Sequence, residues 1–196
     1  MDIPYTVEVR PDTGLTNGRI GIWLFLASEV MLFGALFASY ILIRTGAPAW
    51  PRGDTILSVP MATFNTLVLI SSSVTMVMAW ASLKRHRLET FRIYMGTTVA
   101  LGFVFLVVKY FEYSEHIHLG EVPSHNNFLA IYYTLTGLHM IHVFGGMMVN
   151  AYLLGPGSAL WKTNPEWFTN RVEHSGLFWH FVDLVWIFLF PTLYLL

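Results

Sequence analysis

The chain has no cysteine among its 196 residues. That absence excludes disulfides, thiolate copper centres, iron–sulfur clusters and a covalently attached c-type haem. Charge is scarce too: Asp, Glu, Lys and Arg make up 12% of the chain against 55% hydrophobic residues, and the mean hydropathy is +0.54. Soluble domains carry about 25% charged residues, so this composition is that of a polytopic membrane protein. There is no basic patch with interleaved aromatics, which argues against a nucleic-acid partner, and the formal net charge of −1 favours no partner class. Residues 1–18 lack the basic-then-apolar layout of a cleavable signal. They read as a short polar arm with Asp2, Glu8, Arg10 and Asp12.

What the chain has instead is long apolar runs. Crossing about 30 Å of hydrocarbon at about 1.5 Å per residue takes about 20 residues. Polar punctuation divides 19–196, a single membrane domain, into five spans at about 20–43, 59–83, 91–111, 127–154 and 176–196. Arg44-Thr45-Gly46-Ala47-Pro48 and Gly155-Pro156-Gly157 end the first and fourth, because glycine and proline stop helices. The third ends among Glu112, Glu115, His116 and His118, and a polar loop carrying Lys162, Glu166 and Arg171 precedes the fifth. Arg10, Arg19, Lys84, Arg85, Arg87, Arg92, Lys162 and Arg171 collect on one side of these spans, with Arg44 and Arg52 opposite. Cytoplasmic loops retain positive charge. The expectation is an all-α bundle of five transmembrane helices, amino terminus inside and carboxyl terminus outside.

Ionisable groups inside those spans are the candidate functional residues, since each must face protein or water. Glu29 lies about 14 Å beyond Ile20 at helical rise, among apolar neighbours from Trp23 to Phe33. There a carboxyl either stays protonated or finds donors. It reads as a proton-handling or lipid-contacting group, or as a protonated carboxyl bonded across a helix interface. His139 and His142 share a helix face by their spacing and resemble a ligand pair, to which His180 adds a third imidazole; interhelical hydrogen bonding explains them better than metal or haem binding. His180 and Asp183 stand one turn apart and form a candidate histidine–carboxylate pair. Lys109 and Glu112 form a similar structural pair, with the lysine reaching toward water. His116, His118 and His125 read as solvated outer-loop residues. Gly34, Ala35, Ala38, Ser71, Ser72, Ser73, Gly145 and Gly146 suggest close helix approach. Trp50, Trp161 and Trp167 suggest an interfacial belt, with the phenylalanines as lipid-facing bulk.

Several of these segments are recognisable together. Leu24-Phe25-Leu26-Ala27-Ser28-Glu29-Val30-Met31-Leu32-Phe33, Phe64-Asn65-Thr66, Phe111-Glu112-Tyr113-Ser114-Glu115, Thr136-Gly137-Leu138-His139-Met140-Ile141-His142-Val143 and Trp179-His180-Phe181-Val182-Asp183-Leu184-Val185-Trp186 resemble subunit III of cytochrome c oxidase, in the family's order and across all five spans. The resemblance implies an accessory subunit of a haem-copper oxidase, seated against catalytic subunit I beside electron-entry subunit II. The haems and copper would lie in those partners and no redox centre on this chain. It also implies phospholipid in a V-shaped cleft, support of proton uptake, and protection from inactivation during turnover. Glu29 matches the family's buried carboxyl, and His139, His142, His180 and Asp183 its other buried polar positions. Longer members have two further helices before these five, so the resemblance implies either an incomplete lipid site or a second cleft wall from another polypeptide. Related proteins serve quinol oxidases and nitric oxide reductases. Two rivals stand beside the resemblance: an autonomous proton channel or transporter, motivated by Glu29, His139, His142 and Asp183, and a haem-binding membrane enzyme.

Overall fold

The computed structural model describes residues 13–196, so most of the polar arm lies outside the described residues. Among them, α1 (Asn17–Gly46), α3 (Val59–Lys84), α4 (Leu88–His118), α5 (Asn127–Leu154) and α6 (Pro165–Phe190) are long helices, and α2 (Gly53–Ile56) is a single turn. A 3₁₀ segment, Pro156–Lys162, joins α5 to α6, and a π-type turn, Pro191–Leu195, ends the chain. Among the described residues, five helices have the length and apolarity to cross a membrane.

The fourth span has the predicted boundaries, whereas the others run longer. The fifth begins much earlier than expected: Glu166 and Arg171, predicted in a polar loop, lie in the first turns of α6. The cause is local. Asn164 accepts the Trp167 amide at 3.0 Å and Pro165 occupies the first helical position, which together start a helix. α4 likewise continues past residue 111 to His118, because Glu112 and His116 are buried with partners rather than dissolved in a loop. The Asn126 side chain caps α5 by accepting the Leu129 amide at 2.7 Å.

α6 is the centre of the bundle, packing against α1, α3 and α5, while α3 and α4 form an antiparallel hairpin through a tight turn at His86 (φ 55°). Lipid tails are as apolar as leucine, so close fit rather than escape from water holds such helices together. Trp179 shows how. A Cβ at Gly102 of α4 would lie 2.9 Å from the indole, and one at Gly146 of α5 would lie 3.0 Å away. The indole nitrogen meanwhile donates to Ser72 Oγ of α3 at 3.0 Å. Three helices thus key one side chain. Phenylalanine is not only lipid-facing bulk: Phe91, Phe105, Phe128 and Phe168 are fully buried. α1 is peripheral, with Phe33 and Tyr40 its buried residues.

Candidate functional site

Glu29 projects from α1 toward α5, where its Oε2 lies 2.8 Å from His142 Nε2. The other imidazole nitrogen, Nδ1, lies 2.8 Å from the Leu138 carbonyl, which can only accept. With Nδ1 donating there, a single proton is shared between Nε2 and the carboxyl: the pair is either carboxylic acid with neutral imidazole or carboxylate with imidazolium. Each side chain is 13% exposed, and the Phe33 ring meets His142 edge-on at 5.2 Å. Of the sequence expectations for Glu29, a bond across a helix interface is the one observed.

His139 leaves that face. It stacks on Trp186 of α6 at 5.4 Å, meets Phe105 of α4 edge-on, and is fully buried with both nitrogens unpartnered among the described residues. The two histidines are therefore split, and the interhelical hydrogen bond expected of both is made by His142 but not by His139: three-residue spacing differs from a full turn by about 60°, enough to send the two rings to different neighbours. Among the described residues no three His, Asp or Glu side chains converge as metal ligands.

Lys109 does not reach water. It is fully buried, with Nζ 2.9 Å from Glu112 Oε2 and 2.5 Å from the Tyr194 hydroxyl. Tyr132 and Tyr194 donate to Glu112 Oε1 at 3.0 and 2.7 Å, and Nζ sits 5.1 Å from the Trp186 ring centroid. A short lysine-to-glutamate spacing showed the pair but not its depth. The missed signal was tyrosine at 132 and 194 on two other spans, able to close the network.

His180 and Asp183 do not pair. His180 Nδ1 lies 2.5 Å from Ser73 Oγ of α3. The Asp183 carboxyl, 4% exposed, is near Ser73 without a hydrogen-bond partner among the described residues. Packing of α6 against α3 supplies a hydroxyl to the imidazole before its own helix can. His116 is also no solvated loop residue, since it is buried at the end of α4 with Nδ1 2.6 Å from Glu121 Oε2. Gly146 makes a close approach, but Gly34 and Gly145 have nothing within 4 Å of an added Cβ. In the expected belt, Trp50 packs edge-on to Tyr40 and Phe128, and Arg171 lies 4.2 Å over the Trp167 ring.

A groove of about 530 Å³ opens between α1, α5 and α6, with Ile22, Phe25, Tyr152 and Phe178 along it and Arg171 and His174 at one end. Arg19 and Glu173 pair at 2.6 Å close by.

A family profile described as "Cytochrome c oxidase subunit III" matches residues 8–196. The chain is 32% identical to cytochrome c oxidase subunit 3 of Bacillus sp. (strain PS3), over 97% of this chain and 93% of that one. It is 36% identical to cytochrome c oxidase subunit 3 of Thermostichus vulcanus, over 90% and 86%. A third relative, "Heme-copper oxidase subunit I+III" of Aeropyrum pernix, is 32% identical over 90% of this chain and 22% of its own length.

Proposed function

The chain belongs to the cytochrome c oxidase subunit III family, and from that premise we propose that it serves a dioxygen-reducing, proton-pumping oxidase as a non-redox subunit that preserves the catalytic subunit during turnover. It is an integral membrane protein of bacterial type and part of an oxidoreductase complex, assembled with other oxidase subunits. In this reading it sits against subunit I beside subunit II, which carry the haems and copper; a relative named subunit I+III supports direct seating on the former. The amino terminus faces the cytoplasm, as the lysine and arginine distribution favours. In this reading the chain carries no reacting centre of its own, and the bonding of His142 to Glu29 and of His180 to Ser73 supports structural roles for these imidazoles.

The observation that carries the mechanism is the bond between Glu29 and His142, 2.8 Å long and near the middle of α1 and α5. α1 has few buried side chains, and this bond ties its middle to α5, which in our reading sets the width of the groove between α1, α5 and α6. That groove holds phospholipid in our reading. Its apolar walls fit acyl chains, and Arg171 and His174 at its end fit an anionic headgroup. A filled groove keeps the adjoining catalytic subunit hydrated and packed as its proton-uptake path requires.

Replacing Glu29→Ala should leave the haem content of the purified oxidase unchanged but shorten the time to inactivation under continuous turnover several-fold. Glu29→Gln, which keeps one hydrogen bond to His142, should lie between. A Glu29→Ala complex with an unaltered turnover lifetime would remove this role.

A further inference from the structure

Between α1 and α3, one strip of α6 is incompletely covered: Glu173, Leu177 and His180 are half-buried and Leu184 and Phe188 exposed, following one another at helical spacing. The strip floors two cavities, one of about 260 Å³ against Met76, Val77 and Trp80 of α3 and one of about 240 Å³ against Val30, Gly34 and Phe37 of α1. The two follow one another along α6, the first beside Glu173, Leu177 and His180 and the second beside Leu184 and Phe188, and together they mark one groove-like face. His180 stands at the midpoint of the span Pro165–Leu195, about 22 Å of helical rise from either end. Ser73 occupies Nδ1. Nε2 has no hydrogen-bond partner among the described residues and is not sealed inside the protein, and His180 lines the groove.

That nitrogen decides what covers the groove. Acyl chains offer no hydrogen bond at this depth, and polar groups in transmembrane helices face other polypeptide or water-filled space. Farther along, in the second cavity, Gly34 has nothing within 4 Å of an added Cβ, which allows a second backbone to approach closely. We propose that this groove seats a transmembrane helix of a partner oxidase subunit, with a hydroxyl, amide or imidazole side chain bonded to His180 Nε2. The inference rests on the assembly reading above and adds the face and the anchoring residue.

Photo-crosslinking in the whole oxidase, in its own membrane, tests it. Leu177→p-benzoylphenylalanine and Val77→p-benzoylphenylalanine should give adducts with another polypeptide in several-fold higher yield than the same probe at Phe103, which is 59% exposed on α4. Adducts with lipid alone at 177 and 77, or equal yields at 103, would overturn the proposal. The anchor is tested separately, by retention of this chain on the haem-containing complex through detergent washing. His180→Leu should weaken retention about three- to twentyfold, the range of an interhelical hydrogen bond, and His180→Asn should restore part of it. Retention of His180→Leu equal to the unmodified chain would remove the anchor. If the unmodified chain accompanies no haem-containing partner, the assembly reading itself falls. If it does accompany one but fails to crosslink from the groove, only the face is wrong.

Discussion

At position 109 a lysine is held in the bundle core by one carboxylate and two phenols, and each of those groups depends on the others. Removing one member of a buried pair strands the remaining charge, whereas replacing both with apolar side chains removes the problem together with the bond. Lys109→Met should therefore destabilise the subunit by about 3–5 kcal/mol, and Lys109→Met/Glu112→Leu by less. Thermal unfolding of the purified complex in mild detergent gives the comparison, and a double variant at least as unstable as the single one would contradict it. The pair was legible in the sequence because its members are three residues apart on one helix. The two tyrosines that close the network were not, since they come from α5 and the last turn of the chain. The same limit explains His180: its own-helix neighbour Asp183 was visible, but its actual partner Ser73 is 107 residues away.

Among the elements, α5 presents a controlled comparison. Gly145 and Gly146 are adjacent, yet an added Cβ meets nothing within 4 Å at the first and lies 3.0 Å from Phe178 and Trp179 at the second. Gly146→Val should lower stability by about 1–3 kcal/mol through overpacking, while Gly145→Val should leave it nearly unchanged. Intrinsic helix propensity is altered equally in both, so the difference in melting temperature reports packing alone; equal shifts would show that the Trp179 contact does not matter. Helix existence was readable from apolar length and from the breakers at Gly46 and Gly155. The early start of α6 was not, because a span read by hydropathy begins where polarity falls, whereas a helix begins where its first amides are capped.

For the whole molecule, stability is uneven by construction. α6 is keyed to its neighbours by Trp179, Trp186 and Ser175. α1 is held at Arg19, Glu29, Tyr40 and Arg44 and otherwise exposes apolar side chains. Amide exchange of the isolated subunit in detergent should therefore be faster in the central turns of α1 than in those of α6. Incorporation into the oxidase should slow it, because partner protein and lipid then cover that helix; equal protection of the two helices in the isolated chain would refute the picture. The sequence by itself determined that the chain spans a membrane five times and which ionisable groups lie at depth, since hydropathy and short-range spacing are local properties that bilayer thickness converts into structure. Only the tertiary structure decided which of those groups meet. Hydrogen bonds between helices depend on rotation and depth of one helix against another, and these are set by contacts such as Trp179 against Gly102 and Gly146, whose partners lie far apart along the chain.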